Sequence, residues 1–219
     1  MDIVPSRVFS SLYIVIDIIF LVIFSIMLFF SGRKKALCFG IFGGFLYFAV
    51  DWGIFCLALG ARKVTGAPTA PFLFWLSMSY GLTNFAWIWL MLDRDSKRVE
   101  WSVLIFFSWI TSALLSQNFG SGWSVISISR TTSSYHGVMA LILIVGYFIV
   151  IAMNIFRDAG IPVAYLLFIG ITVQLGWETA LLVTGIRQSG LETLIINSLI
   201  ETNLGIPYIY FIHKKLSNR

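Results

Sequence analysis

Four carboxyl groups stand where water is scarce. Asp17, Asp51, Glu178 and Glu201 each fall inside an apolar run, and no Lys or Arg occupies a comparable depth along those runs. An ionisable side chain in such a place is costly and marks a functional site by default. Burial away from cations favours the neutral, proton-bearing form of a carboxyl group, so these residues read as proton carriers. Glu201 is the centre of the pattern. Asn197, Glu201, Gly205 and Tyr208 recur at i, i+4, i+8 and i+11, so one helical face carries an amide, a carboxyl group, a gap and a phenol. Pro207 has no N–H to give the carbonyl of Asn203, which predicts a kink just below the acid.

The position of each acid along its run puts Glu201 near the membrane midplane, Asp17 and Asp51 about 5 Å to its outer side, and Glu178 about 8 Å to its outer side. Tyr13, Tyr47, Trp52, Tyr80, Trp87, Trp177 and Tyr208 accompany them, and aromatic faces stabilise cations. Acid plus aromatic lining suits three tasks: protonating a lipophilic substrate and stabilising a carbocation, binding a lipophilic cation, or relaying protons through a transporter. Asp51 and Glu201 are the candidate catalytic pair. Tyr47, Trp52, Tyr80, Asn84, Trp87, Glu178, Asn197 and Tyr208 are the candidate substrate-binding residues. The structural alternative is a carboxyl group bonded across helices, and Asp17 fits it best. No His/Cys/Asp cluster has zinc spacing, no Gly-rich loop has a phosphate-binding context, and no GxSxG elbow occurs. A retinal-binding protein would need a lysine within its last helix, and Lys214 and Lys215 lie beyond it. No metal ion or other cofactor is expected.

The elements that must position these groups are membrane helices. The chain of 219 residues is 58% hydrophobic and 11% charged, with mean hydropathy +0.90, far more apolar than a soluble domain can bury. Seven runs of spanning length, roughly 10–31, 36–60, 70–92, 100–117, 136–156, 161–184 and 191–212, predict an all-α integral membrane protein. Short loops make it one polytopic domain over residues 1–219. The first run contains Asp17, lacks a small-residue cleavage site and is too long for a signal peptide, so it counts as helix 1.

Of the 15 Lys and Arg residues, Arg33, Lys34, Lys35, Arg94, Lys97, Arg98, Arg157, Lys214, Lys215 and Arg219 fall on one side. Arg7, Arg62, Lys63, Arg130 and Arg187 fall on the other. The excess predicts an N-terminus outside and a C-terminus in the cytoplasm. Topology thereby accounts for the net charge of +5 without a nucleic-acid partner. The partners implied are the lipid bilayer and a lipophilic small molecule; oligomeric state and the membrane concerned are left open.

Gly40-Ile41-Phe42-Gly43-Gly44 is a GxxxG surface for close helix approach. Cys38 and Cys56 lie about 27 Å apart on one helix and cannot bridge. Residues 117–135, rich in Ser, Thr and Gly, read as an outer linker or a lid. Trp52 leading to Gly60-Ala61-Arg62 and Trp177 leading to Gly185-Ile186-Arg187, with Thr83-Asn84 matching Thr202-Asn203, form a weak parallel repeat of helices 2–3 in helices 6–7.

Seven short-looped helices, Asp51 in Val50-Asp51-Trp52, and Glu201 in the polar stretch from Asn197 to Pro207 resemble the small integral-membrane terpene cyclases of fungal meroterpenoid pathways. The resemblance implies acid-initiated, metal-independent cyclisation of an epoxidised prenyl chain, with Asp51 matching the helix 2 acid and Glu201 the last-helix acid. Here Asp precedes Trp where that family has Trp followed by Glu, and the last acid is Glu where the family has Asp. The alternative from the residues themselves is a proton-coupled small-molecule transporter or a lipophilic-ligand-binding protein.

Overall fold

The computed structural model describes residues 6–130, 135–187 and 191–217. Two compact units divide the chain: Met1–Thr131 with Ala180–Gln188, and Thr132–Thr179 with Ser189–Arg219.

In the first unit, β1 (Ser6–Ser10) leads directly into α1 (Ser11–Phe30). The Ser10 hydroxyl caps the helix by accepting from the Leu12 amide at 3.2 Å. Tyr13, Asp17, Leu21, Phe24 and Leu28 form its buried stripe, while Val15, Ile19, Val22, Ile26 and Phe30 are exposed on the other side. So much exposed aliphatic surface suits lipid and not water. Then follow α2 (Lys34–Phe48), which continues as a π-helix over Ala49–Ala58, β2 (Arg62–Thr65), α3 (Thr69–Leu92), α4 (Arg98–Phe119) and β3 (Val125–Arg130). The α2–α3 seam depends on missing side chains. A Cβ on Gly81 would sit 2.6 Å from the Gly44 Cα, and one on Gly40 would sit 2.6 Å from the Leu82 carbonyl oxygen. The GxxxG surface therefore does what its spacing predicts. At the end away from the strands, Arg33 in the α1–α2 turn grips Asp95 in the α3–α4 turn through Nε and Nη2, at 2.9 and 3.0 Å.

The second unit holds α5 (His136–Arg157), most of α6 (Val163–Val183), α7 (Leu191–Ile200) and α8 (Ile206–Ser217). Asp158 ends α5 in the left-handed region at φ 47°. The α5–α6 turn is closed by Asn154, whose amide group both donates to the Ile161 carbonyl and accepts from the Ile161 amide, each at 2.8 Å.

Among the described residues, five helices are long and apolar enough to cross a membrane: Ser11–Phe30, Lys34–Ala58, Arg98–Phe119, Gly137–Arg157 and Val163–Val183. These are the helices of a membrane protein, with boundaries close to the apolar runs read from sequence. The third run is a helix of 24 residues, but Ser77, Ser79, Thr83 and Asn84 lower its hydropathy, and it is packed in on nearly every side.

Two expectations need correction. The seventh run is not one continuous helix: α7 ends at Ile200, residues 201–205 turn, and α8 restarts at Ile206. Pro207 thus sits in the first turn of a new helix, where its missing N–H costs nothing, instead of kinking a continuous one. The face running from Asn197 to Tyr208 does not persist across that break, and Tyr208 turns out 38% exposed with its hydroxyl on the Ile142 carbonyl at 3.1 Å. The second correction concerns residues 117–135. Over their described part α4 continues to Phe119 and β3 is the middle strand of an antiparallel sheet ordered β1-β3-β2, which leaves residues 120–124 as the turn between them. Residues 131–134 lie outside the described ones. Alternation explains the strand, since Ile126 and Ile128 are buried between the half-buried Ser127 and Ser129.

Candidate functional site

The sheet decides the surroundings of Asp51. Register places Arg62 opposite Arg130 across β2 and β3, and Arg7 of β1 opposite Ile128. Arg187 forms an antiparallel bridge with Arg7 at the other edge of β1. Directly opposed residues share a face, as do residues two apart on a strand, so all four arginines lie on one face of the sheet. Arg7, Arg62 and Arg187 are buried and Arg130 is half-buried. Asp51, in the π-helix, meets this face from below. Its Oδ1 accepts from Arg62, with nitrogens at 2.7 and 2.9 Å, and its Oδ2 pairs with Arg130 at 3.2 Å. The Tyr80 hydroxyl donates to Oδ2 at 3.4 Å, and the Tyr47 ring lies 4.8 Å from the Tyr80 ring. A π-helical turn of this kind is frequent at functional sites.

The expectation that no cation reaches the buried acids is therefore overturned for Asp51. The topology count treated Arg62 and Arg130 as loop charges, but strand pairing folds them back onto the helix ends. As the counter-ion of two guanidinium groups, Asp51 is poorly placed to donate a proton.

A second cluster lies in the second unit. The Gln174 amide nitrogen donates to both Glu201 Oε2, at 2.9 Å, and Glu178 Oε1, at 3.2 Å. Its carbonyl oxygen accepts from the Thr202 hydroxyl at 2.6 Å, and that bond assigns the amide's orientation. Asn197 donates to Glu178 Oε1 at 3.4 Å. Glu178 is fully buried and Glu201 half-buried, at the first residue of the α7–α8 break. Among the described residues no Lys or Arg lies within ion-pairing distance of Glu201. Sequence spacing pairs Gln174 with Glu178 and Asn197 with Glu201 along their helices. The bond between Gln174 and Glu201, and the role of Thr202, were not legible.

The remaining candidates divide by unit. Within the first unit, Trp52 stacks parallel to Phe48 at 6.4 Å, and the Trp87 indole donates to the Ser102 hydroxyl at 2.7 Å, so both are engaged in packing. Asn84 is buried, and its Oδ1 has no hydrogen-bond partner among the described residues. Asp17 accepts from the Trp75 indole at 2.9 Å amid Phe9, Tyr13 and Phe72, which fits the cross-helix structural role.

The sequence repeat has a structural counterpart. Gly60 and Gly185 both end their helices in the left-handed region, at φ 61° and 66°. Each is followed two residues later by a buried arginine, Arg62 or Arg187, and these reach opposite edges of the sheet. Of the four arginines, Arg62 and Arg187 share a local sequence signal, that repeated Gly-x-Arg. No family model, curated protein or solved structure matches the chain.

Proposed function

We propose that this is a membrane-embedded enzyme that protonates a lipophilic, prenyl-type substrate from Glu201 and so initiates a metal-independent cyclisation. The observation that carries the reading is the Glu201–Gln174–Glu178 arrangement, in which one oriented amide holds two carboxyl groups. An amide that bridges two carboxyl groups sets a proton donor and a proton acceptor side by side, the pairing that acid-initiated cyclisation needs. Glu201, half-buried at a helix break, delivers a proton to an alkene or epoxide oxygen. The cation closes the ring and loses a proton to the paired Glu178 carboxylate; transfer of that proton back to Glu201 restores the site, so the net change is an isomerisation. Asp51 enters as a fixed counter-ion and not as the second acid. The resemblance to the cyclases then holds for the last-helix acid only.

The same proposal includes seven crossings with the N-terminus outside, α3 being the third and α7 with α8 the seventh. Its support is the Lys and Arg distribution, with Arg33 and Arg94 to Arg98 at one end of the four-helix unit and the sheet at the other. Labelling of single cysteines placed in residues 62–66 and 94–98 tests it; accessibility from the same side would sink the topology.

One observation favours proton-coupled transport as a second reading: the acid sits in a discontinuous helix, as coupling sites in transporters do. Incubating the purified protein with epoxidised prenyl substrates separates the two. A product of unchanged mass and altered retention supports the enzyme, while substrate-driven proton flux in proteoliposomes without any product supports the transporter.

A further inference from the structure

We propose that the cavity between the end of α1 and the start of α4 holds an anionic phospholipid, with an acyl chain against the two helices and the headgroup on Lys97 and Arg33. The site lies wholly within the first unit, and the inference is independent of the reading of Glu201.

The cavity has a volume of about 430 Å³, within the range of about 300–1,000 Å³ typical of small-molecule sites. Its lining is of two kinds. Met27 of α1 and Trp101 and Leu104 of α4 supply apolar side chains, and Arg33, Lys97 and Glu100 supply charges where the same helices end or begin. A soluble anion makes no use of the apolar part and a hydrocarbon makes no use of the cations; a lipid with a charged headgroup uses both. Both helices are long and apolar enough to cross a membrane, so the charged part falls where hydrocarbon gives way to headgroups.

Local charge selects an anionic headgroup. The α1–α2 turn, the α3–α4 turn and the residues that flank them carry six cations, Arg33, Lys34, Lys35, Arg94, Lys97 and Arg98, against three acids, Asp93, Asp95 and Glu100. The excess of positive charge survives any pairing among them. Arg33 is already oriented: it donates to Asp95 at 2.9 and 3.0 Å and to the Ser31 carbonyl at 2.9 Å, and it lies over the Trp101 ring, 5.5 Å from the centroid. Those bonds engage three of its five N–H groups and leave two for a phosphoryl oxygen. Lys97 gives Asp95 its backbone amide, at 2.8 Å, and its exposed ammonium group forms no ion pair among the described residues. Glu100 opposes an anion, but it stands in the first turn of α4, whose N-terminus has no side-chain cap and carries the positive end of the helix dipole. Basic pockets between membrane helices are a recurrent way of holding such headgroups.

Protein purified in a neutral detergent is titrated with dioctanoyl phosphatidylglycerol, dioctanoyl phosphatidylcholine and glycerol 3-phosphate. Thermal unfolding is followed in each, since a ligand that binds the native state raises its midpoint. The expected result is a saturable rise with phosphatidylglycerol, none with glycerol 3-phosphate, and an affinity for phosphatidylcholine weaker by about tenfold or more. Lys97→Gln should weaken phosphatidylglycerol binding by about fivefold, the effect of one cation near a headgroup. Lys34→Gln removes the same charge from the same end at a residue that does not line the cavity, and it should leave the affinity within about twofold. Met27→Trp fills the apolar part without changing charge and should weaken binding by about tenfold or more, as displacing a few buried methylenes does. If that variant does not fold, Leu104→Trp fills the cavity from the α4 side. Equal affinities for the two phospholipids would show that charge is not read, and a matching response to glycerol 3-phosphate would assign the site to a soluble anion. Either result, equal losses in Lys97→Gln and Lys34→Gln, or unchanged affinity in the filled variant would overturn the proposal.

Discussion

Arg62 and Arg130 face each other across the β2–β3 ladder and close on the same carboxylate, Asp51, from two strands that are distant in sequence. The ion pair therefore joins the sheet to the π-helical end of α2, and removing its anion leaves a buried and a half-buried guanidinium group opposed. Asp51→Asn should destabilise the protein by about 3–5 kcal/mol, the usual cost of breaking a buried pair from one side. Thermal or denaturant unfolding in detergent measures it. An unchanged midpoint would mean that the sheet does not depend on this pair.

The α2–α3 seam supplies a packing prediction. Gly81 lies against the Gly44 backbone, so Gly81→Val places branched carbons where a single Cβ already comes within 2.6 Å. Overpacking of this kind costs about 1–3 kcal/mol, and the unfolding midpoint should fall accordingly. Gly53→Ala is the control: space is open around Gly53, and the substitution should be tolerated.

The Arg33–Asp95 clasp at the other end of the unit gives a pH dependence. Partial burial pushes the Asp95 carboxyl up, but hydrogen bonds from Arg33 and the Lys97 amide, with the charge of Arg33, more than offset it and hold the group below its ordinary value. A carboxyl depressed in the folded state contributes stability above its unfolded value, about pH 4, and loses it as pH falls through the lower folded value. Wild type should therefore be more stable than Arg33→Gln at neutral pH, with the gap closing as pH drops below about 4. A gap that stays constant through acid would show that Asp95 is not the group responsible.

How much of this was legible follows from the range of each signal. Long apolar runs are local, so Ser11–Phe30 and Arg98–Phe119 could be placed within a residue or two. A break inside an apolar run does not change its composition, so the separation of α7 from α8 at Gly205 and Pro207 was read as a kink. Strand pairing is non-local: nothing near Arg7 announces Ile128, and nothing near Asp51 announces Arg130. The topology count recorded Arg7, Arg62, Arg130 and Arg187 as charges on one side, which is compatible with the sheet but silent on their convergence. Period-2 alternation in Val125–Arg130 was present and was masked by the serines around it. In the second cluster, the i, i+4 spacing of Gln174 and Glu178 was legible, but the reach of Gln174 to Glu201 and Thr202 belongs to the packing of α6 against the α7–α8 turn.

That packing gives the sharpest test of the proposed chemistry. Gln174 can serve Glu201 and Glu178 together only while Thr202 holds its carbonyl oxygen, so the cluster should respond as a unit. Glu201→Gln keeps the shape and hydrogen-bonding capacity of the side chain but is a far poorer acid. Turnover of a prenyl epoxide should fall by roughly 10²–10⁴ while the unfolding midpoint stays near that of wild type. Glu178→Gln should also lower turnover, and the double variant should be little worse than Glu201→Gln alone, because residues acting in one step are not additive. Thr202→Val, which frees the amide to turn, should give a smaller loss that leaves substrate affinity nearly intact. Chelators should have no effect on any of these variants. Full activity in Glu201→Gln would exclude Glu201 as the donor. Loss of folding in both carboxamide variants would instead identify the Glu201–Gln174–Glu178 bridge as a structural tie between α6 and the α7–α8 turn.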